Sequence, residues 1–128
     1  MIGYITLGTN NIERAAKFYD SLLNEIGAKR FISTEKFIAW SVSPDLPAFA
    51  IAKPYNGHEA TVGNGVMIAL KVDSQVMVTS VYNKAIELGA TSEGAPGPRG
   101  ELAGFYAGYF RDLDGNKLNV FCMSQENA

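Results

Sequence analysis

Apolar and polar residues alternate at the start of the chain, and a helical spacing follows them. Residues 2–7 alternate and are rich in β-branched side chains, which predicts a strand. Apolar residues then recur every three or four positions over residues 12–26, which predicts an amphipathic helix. Asn10, with Glu13 three residues later, forms a capping-box arrangement at the start of this helix. Gly27 supplies the left-handed residue that commonly ends a helix.

The same order of elements is predicted in the second half of the chain. A second helix is capped by Asp73 or Ser74 and ended by Gly89. Asp114, Gly115 and Asn116 form a strong tight-hairpin signal near the end of the chain. The remaining strand-like runs lie at residues 30–33, 36–42 and 47–53 in the first half, and at 65–72, 91–93, 104–111 and 116–123 in the second. Residues 94–100 are rich in glycine and proline and are predicted as a loop.

Two sequence matches indicate an internal repeat. Phe18 and Tyr19 correspond to Val81 and Tyr82, and residues 26–28 correspond to residues 88–90, an offset of 62–63 residues. One strand–helix–three-strand unit is too small to close a core alone. We therefore predict an α+β fold in a single domain of residues 1–128. It contains two βαβββ modules, about 1–54 and about 64–124, joined by a turn-rich segment.

Composition narrows the classes of function. With 47% apolar and 19% charged residues, the 128-residue chain is typical of a globular domain. A net charge of −2, without a run of Lys or Arg, argues against binding of nucleic acid or a membrane. Cys122 is the only cysteine, whereas small secreted domains more often carry several. Because the pattern shows no signal peptide and no membrane-spanning run, we expect a cytoplasmic protein.

The order of several motifs resembles the vicinal oxygen chelate superfamily. These motifs are the opening strand and helix, Gly63-Asn64-Gly65, and FRDLDGNKLNVF at residues 110–121. The superfamily includes glyoxalase, extradiol dioxygenases, bleomycin-resistance proteins and fosfomycin-resistance enzymes, and it usually has proline where this chain has Leu113. The resemblance implies that the modules form a cup-shaped mixed sheet with the helices outside, and that the protein pairs as a homodimer.

The resemblance also implies four metal-ligand positions, two per module, where metal-dependent members usually carry histidine and glutamate. By pattern these positions fall on Tyr4, Phe49, Met67 and Asn119. A phenyl ring offers no donor, a thioether suits copper(I), and an amide offers one weak oxygen. A phenol must first lose a proton with a pKa of about 10. We therefore expect no metal and no other cofactor.

Strand alternation predicts which side chains line a pocket for a small organic ligand. One face is mixed in character, whereas the opposite face is aliphatic and packs beneath the helices. Aromatic residues on the remaining strands supply walls, and Arg99 on the glycine–proline loop can meet an anionic group. The candidate ligand-binding residues are Tyr4, Trp40, Phe49, Met67, Arg99, Tyr106, Tyr109, Asn119 and Phe121. The structural alternatives are a filled core and, for Arg99, a solvated loop charge.

Three classes of function remain open. The first is a metal-free binder of a small, partly aromatic or planar molecule, similar to the bleomycin-resistance branch. The second is a glyoxalase-like lyase, or another metal-dependent enzyme of the superfamily, with an atypical site; a metal-free form of catalysis would use Tyr4 as the acid. The third is an interaction module without a ligand. His58, the only histidine, is expected to face solvent between the modules.

Overall fold

A computed structural model of the protein describes residues 1–100 and 102–123. The chain forms two compact units, of which the first comprises Met1–Gly63 and the second begins at Asn64. Each unit holds one strand–helix–three-strand repeat, so the predicted α+β class and the two βαβββ modules are confirmed. Both helices have 13 residues, and among the described residues no helix is long and apolar enough to cross a bilayer.

The first unit forms a four-stranded mixed sheet with one helix. Its elements are β1 (Tyr4–Gly8), α1 (Ile12–Asn24), β2 (Lys29–Ser33), β3 (Phe37–Ser41) and β4 (Ala48–Ala52). The strand order is β1-β4-β3-β2, in which β1 and β4 are parallel and the other neighbours are antiparallel. The predicted bounds of β2, β3 and β4 are each confirmed to within one residue at either end.

The second unit repeats this topology. Its elements are β5 (Ile68–Lys71), α2 (Gln75–Glu87), β6 (Thr91–Pro98), β7 (Phe105–Arg111) and β8 (Lys117–Met123). The strand order β5-β8-β7-β6 is the counterpart of the first sheet, and β5 and β8 are the parallel pair. The two helices begin at Ile12 and Gln75, which agrees with the repeat offset predicted from the sequence.

Each helix covers one face of its own sheet. α1 packs against β2 and β4, and Tyr19, Leu22 and Ile51 are almost fully buried. α2 packs against β6, β7 and β8, and Val81 and Phe110 are buried completely. Burying one such apolar side chain contributes about 1.5–3 kcal/mol to stability. We call the opposite, helix-free side of each sheet its open face.

Both helices have polar N-caps, but the first differs from the prediction. Its cap is Asn11, whose side chain accepts a hydrogen bond from the backbone N–H of Arg14 at 3.0 Å. Asn10 instead makes two hydrogen bonds, of 2.7 and 3.1 Å, with the backbone of Ala60. The segment after β4 is thereby tied to the start of α1. In the second unit the cap is Ser74, one of the two predicted candidates.

Two strands of the second unit have bounds that differ from the predicted ones. β5 begins at Ile68 and not at residue 65, because residues 64–65 form a turn in which Gly65 has a φ of +98°. β6 continues to Pro98, into the segment predicted as a loop. Its pairing with β7 shifts register on both sides of Gly94. Glycine and proline weaken strand ladders and mark bulges, and both residues are also typical of loops. The composition of β6 therefore resembles that of a loop, although the segment forms a strand.

The predicted hairpin turn at Asp114, Gly115 and Asn116 joins β7 to β8, and it is built around Asp112. Its carboxylate accepts hydrogen bonds from the backbone N–H groups of Asp114 and Asn116, both at 2.9 Å. It also accepts one from the side-chain amide of Asn116 at 3.0 Å. Gly115 has a φ of +90°, a conformation that favours glycine. The turn fixes the register that pairs Asn119 of β8 with Tyr109 of β7.

Candidate functional site

The central strand β4 presents only alanine to the open face of the first sheet. Its sequence is Ala-Phe-Ala-Ile-Ala, and the register pairs Ala48 with Tyr4 and Ala50 with Thr6. Neighbouring residues in register share a face, so the alanines lie with Tyr4 and the large side chains of β4 face α1. Within this row Ala50 is completely buried, whereas Ala48 and Ala52 are partly exposed.

A cleft of about 600 Å³ lies on this face. Ala39 and Ala48 line it together with the rings of Tyr4, Phe31 and Phe37. A second hollow, of about 770 Å³, also borders Tyr4 and Phe37. These two rings meet edge to face, with their centroids 6.1 Å apart, so the pair stands between the hollows. Both volumes are in the range of small-molecule sites, about 300–1,000 Å³.

Trp40 and Phe49 lie on the helix side of the sheet, which corrects their predicted place in a pocket. Trp40 is 1% exposed, and its indole N–H donates a hydrogen bond to Asp20 of α1 at 2.9 Å. The ring of Phe49 packs against Tyr19, with a centroid distance of 4.7 Å. Alternation within a strand fixes which residues share a face, but it does not show which face a helix covers.

Asp20 is the electrostatic centre of the helix side in the first unit. Arg30 donates two hydrogen bonds to its carboxylate, of 2.8 and 2.7 Å, in a bidentate pair. These bonds are the largest cause that holds the pKa of Asp20 below its usual value. Partial burial opposes this shift, and the hydrogen bond from Trp40 reinforces it. The cluster joins α1 to β2 and β3 and serves the structure of the unit.

The open face of the second sheet carries Asn119, Phe121 and Tyr109, as the strand alternation predicts for the first two. The register places Ala69, Asn119 and Tyr109 side by side on β5, β8 and β7. Phe121 lies on the same face, and its ring is 5.5 Å from that of Phe105. Small, polar and aromatic side chains therefore meet on this face.

Tyr106 and Met67 are placed differently from Asn119. Tyr106 pairs with Cys122 on the helix side, where it borders a hollow of about 430 Å³ beside α2, so its predicted position on the ligand face is corrected. Met67 precedes the first residue of β5 and is 39% exposed. Its direction is therefore not fixed by strand pairing.

Asn119 is a buried amide whose oxygen is unsatisfied. The residue is 2% exposed, and its Oδ1 has no hydrogen-bond partner within residues 1–100 and 102–123. A buried acceptor without a partner costs about 1–3 kcal/mol. By contrast, the side chain of Asn116 on the same hairpin donates to Asp112. An unsatisfied buried group of this kind calls for an explanation, such as an ordered water or a ligand.

Two cations lie over the ring of Tyr109. The guanidinium carbon of Arg99 is 5.4 Å from the ring centroid, and the Nζ atom of Lys117 is 5.7 Å from it. Arg99 also donates hydrogen bonds of 2.5 and 3.3 Å to two backbone carbonyls of its own segment. Arg111 lies on the same face, but Glu93 partly neutralises it at 3.5 Å. Arg99 therefore lies against an aromatic ring, and its contact with an anionic group of a ligand stays a prediction.

Comparison with known proteins decides the family. Residues 1–120 match the Glyoxalase/Bleomycin resistance protein/Dioxygenase superfamily. The chain belongs to this superfamily. The resemblance that the sequence motifs carry is therefore confirmed over nearly the whole chain.

Solved structures of glyoxalase-related proteins share the fold. A glyoxalase/bleomycin resistance protein from Albidiferax ferrireducens T118 is 31% identical, with a TM-score of 0.87, over 97% of this chain and 99% of that one. A lactoylglutathione lyase from Agrobacterium tumefaciens is 16% identical, with a TM-score of 0.70, over 95% and 92% of the two chains. The fosfomycin resistance protein FosX from Mesorhizobium loti is 16% identical, with a TM-score of 0.68, over 97% and 92%. The last two show the fold alone. No functionally curated protein matches the chain.

The residues at the superfamily's metal-ligand positions do not fit a divalent metal. In the first unit Phe49 faces the helix and Ala48 lies beside Tyr4, so the open face offers one phenol there. In the second unit the candidates are the thioether of Met67 and the amide of Asn119. Catalytic zinc needs about three N, O or S donors, and harder cations need carboxylates. Within the described part of the chain, no three His, Cys, Asp or Glu side chains come together.

His58 and Cys122 belong to neither open face. His58 is exposed in the segment between β4 and β5, as predicted, and its backbone N–H donates to the side chain of Asn56. Cys122 is 1% exposed and lies on the helix side of β8. Burial raises the pKa of its thiol, which disfavours the reactive thiolate.

Sequence reasoning missed Phe37 and Ala48 of the first sheet and Lys117 of the second. Two signals point to them. The alternation of alanine with large apolar residues in β4 predicts one packed face and one bare face. Counting outwards from the predicted hairpin turn pairs Tyr109 with Asn119 and brings Lys117 to the same face.

Proposed function

We propose that the protein binds a small, planar and largely apolar organic molecule on the open face of the first sheet, without a metal. The observation that carries this proposal is the cleft of about 600 Å³, whose floor is formed in part by the small residues Ala39 and Ala48. The cleft combines a small-residue floor with aromatic walls, the usual construction of a small-molecule site.

The exposed rings of the cleft favour a flat apolar ligand. Tyr4 is 62% exposed and Phe31 is 59% exposed. Covering apolar surface contributes about 25 cal/mol per Å², so a ligand that lies against both rings gains affinity from area alone. The hydroxyl of Tyr4 has no hydrogen-bond partner among the described residues and can pair with one polar atom of the ligand.

The chemistry of the side chains supports binding over a metal-dependent lyase reaction. The positions that the resemblance assigns to metal ligands, Tyr4, Phe49, Met67 and Asn119, hold a phenol, a phenyl ring, a thioether and an amide, none of which is a general base near neutral pH. The lactoylglutathione lyase with the same fold is only 16% identical, so its activity is not carried over. A binding role needs only the cleft.

We also propose that the protein is a homodimer. The support is its membership of the superfamily and the apolar side chain of Ile2 in the first unit, which is 55% exposed and is not among the residues that line the cleft. Size-exclusion chromatography with light scattering tests this. A mass of 13.8 kDa, that of one chain, would contradict it.

The binding proposal is tested by a thermal-shift screen of planar aromatic compounds, followed by isothermal titration of those that stabilise the protein. Ala48→Phe fills the floor of the cleft, since Ala48 is a lining residue of the open face. We expect this variant to lose binding by tenfold or more. The matched control is Val76→Phe, which adds a ring at a residue of α2 that is 62% exposed and lies outside the cleft.

Two results would contradict the proposal. One is a broad screen in which no compound raises the melting temperature. The other is a ligand whose affinity is the same for the Ala48→Phe variant and the native protein, because such a ligand binds elsewhere.

A further inference from the structure

We propose that the hollow of about 770 Å³ in the first unit binds an aromatic phosphate monoester, whose phosphate group contacts Lys36 and Lys53. Both lysines line this hollow, and neither lines the cleft of about 600 Å³. Every residue that lines the hollow belongs to Met1–Gly63, so the site lies within one compact unit. The phosphate contact is therefore independent of the ligand proposed for the cleft, although the rings of Tyr4 and Phe37 border both.

Lys36 and Lys53 lie directly opposite each other at one end of the first sheet. β3 begins at Phe37 and β4 ends at Ala52, and these two residues are partners in the strand register. The backbone N–H of Lys53 donates to the carbonyl of Lys36 at 3.0 Å, which extends the pairing by one residue. Side chains directly opposite in an antiparallel pair have Cβ atoms about 4.5–5.5 Å apart, so two lysines placed in this way can reach one anion.

The charges of these two lysines are not neutralised within the described part of the chain. Neither ammonium group forms an ion pair or a hydrogen bond with a described residue. Among the described residues that line the hollow, Lys36 and Lys53 carry the charge, one positive charge each, whereas the whole chain has a net charge of −2. Like charges directly opposite destabilise a strand pair, and a bound dianion removes this repulsion.

Aromatic rings line the hollow close to both lysines. Phe37 directly follows Lys36, and Tyr55 comes two residues after Lys53. The ring of Tyr4 meets that of Phe37 edge to face, with a centroid distance of 6.1 Å. Rings beside cations suit a ligand in which an anionic group is attached to a planar apolar body.

Hydrogen bonds fix the wall of the hollow that carries Tyr55. The backbone N–H of Gly57 donates to the carbonyl of Pro54 at 3.0 Å, which closes a turn around Tyr55. Farther along this segment, the side chain of Asn10 makes its two hydrogen bonds with the backbone of Ala60. Because the wall is ordered before a ligand binds, less of the binding free energy is lost in ordering it.

The number of charges favours a phosphate monoester over other organic anions. Such a group has a second pKa of about 6 and carries a charge of about −1.5 to −2 at pH 7. A sulfate ester of the same shape carries a single negative charge. Two adjacent ammonium groups without a carboxylate therefore match the phosphate and distinguish it from the sulfate.

Three matched probes test the site by calorimetry at pH 7.5. They are phenyl phosphate, phenyl sulfate, which has one charge fewer, and methyl phosphate, which lacks the ring. We expect phenyl phosphate to bind about tenfold more tightly than either analogue. Tyr55→Ala is expected to bring the affinity for phenyl phosphate towards that for methyl phosphate, because it removes one ring of the wall.

A double variant connects the charge preference to the two lysines. Lys36→Gln combined with Lys53→Gln is expected to weaken phenyl phosphate about tenfold or more and to remove the dependence of binding on salt. Its melting temperature should be unchanged or higher, because the substitution removes a repulsive pair, whereas a structural role of the lysines would lower it. Lys17→Gln combined with Lys29→Gln is the control, because it removes the same charge from the first unit at residues that do not line the hollow.

Four results would overturn the proposal: no binding of phenyl phosphate, equal affinity for the phosphate and the sulfate, equal affinity for phenyl and methyl phosphate, or unchanged binding by the Lys36→Gln, Lys53→Gln variant. Equal weakening by the control variant would also overturn it, because the loss would then follow from net charge alone. Ala48→Phe fills the cleft but does not line the hollow, so it is expected to leave the affinity for phenyl phosphate unaltered. Failure of this site is therefore distinguishable from failure of the cleft.

Discussion

Trp40 on β3 donates its indole N–H to the carboxylate of Asp20 on α1 at 2.9 Å. Arg30 on β2 binds the same carboxylate through two hydrogen bonds, so one side chain of the helix connects two strands. Trp40 is the only tryptophan in the chain, and its fluorescence therefore reports on this one environment. The contacts of α1 with β2 and β3 therefore include a titratable group, the carboxylate of Asp20.

We expect Asp20→Asn to destabilise the protein by about 1 kcal/mol at pH 7, a value reduced for solvent screening because the carboxylate is partly exposed. The pKa of Asp20 is lowered in the folded state, mainly by Arg30, so the ionised form favours folding. This contribution is complete above the unfolded pKa of about 3.9 and is lost as the pH falls through the lower folded value. Urea unfolding followed by Trp40 fluorescence between pH 2 and 8 measures it.

The stability difference between the native protein and Asp20→Asn should be constant at neutral pH and shrink below about pH 4. Asp45→Asn is the control, since Asp45 is an exposed carboxylate outside the cluster of Asp20, Arg30 and Trp40. A difference that grows towards acid would contradict the assignment.

Asn119 and Asn116 form a natural pair of buried amides on one hairpin. We expect Asn119→Leu to leave stability unchanged or raise it by about 1 kcal/mol, because it removes an unsatisfied acceptor. We expect Asn116→Leu to lower stability by about 1–3 kcal/mol, because it removes the buried side-chain amide that donates a hydrogen bond to Asp112. Thermal and urea unfolding of both variants checks this. Equal losses would show that the Asn119 amide has a structural partner.

The fold was predictable because both of its periodicities are local. Each local signal depends on a few neighbouring residues: the alternation in the strands, the helical spacing from Ile12 onwards, and the glycines that end the helices at Gly27 and Gly89. The repeat offset adds that the two units have the same order of elements. β6 was less accessible, because its glycine and proline residues are typical of a loop although the strand continues to Pro98.

The candidate site was predictable only in part, because its placement depends on tertiary packing. Alternation puts Tyr4 and Asn119 on definite faces, but the side on which a helix packs decides whether Trp40 and Phe49 face a ligand or the core. The unsatisfied oxygen of Asn119 cannot be recognised in the sequence, since it depends on which groups of residues 1–100 and 102–123 surround the amide in three dimensions.

A close contact in the second unit gives a prediction on packing. A Cβ atom added at Gly108 would lie 3.0 Å from the Tyr82 ring and 3.2 Å from Pro96. We therefore expect Gly108→Ala to destabilise the protein by about 1–3 kcal/mol. Gly3→Ala is the control, because no atom of the described part of the chain, apart from its own neighbours in sequence, lies within 4 Å of its added Cβ. Denaturant unfolding is the measurement, and similar stability of the two variants would show that α2 moves aside without cost.

The side chains at the superfamily's metal-ligand positions give a prediction on the metal content of the protein. We expect protein purified without chelators to contain far less than one equivalent of nickel, zinc, iron or manganese, and its melting temperature to be unchanged by EDTA or by added Zn²⁺ or Ni²⁺. A metal bound at about 100 times its dissociation constant would add about 2.7 kcal/mol to stability, which a thermal scan detects. Elemental analysis is the second measurement. Stoichiometric metal would favour the hypothesis of a metal-dependent lyase over that of a metal-free binding protein.

Substitutions of Tyr4 distinguish a binding role of the first unit from a catalytic role. Its ring stands between two hollows in edge-to-face contact with Phe37, while the side chain is 62% exposed. We expect Tyr4→Phe to keep the affinity for apolar ligands within a few-fold, because the ring surface is retained, and Tyr4→Ala to weaken it about tenfold. Neither variant should lose more than about 1 kcal/mol of stability, since the residue is mostly in solvent. If instead Tyr4→Phe abolishes a measurable turnover while stability and ligand affinity are intact, then the hydroxyl is an acid in a reaction and the protein is an enzyme.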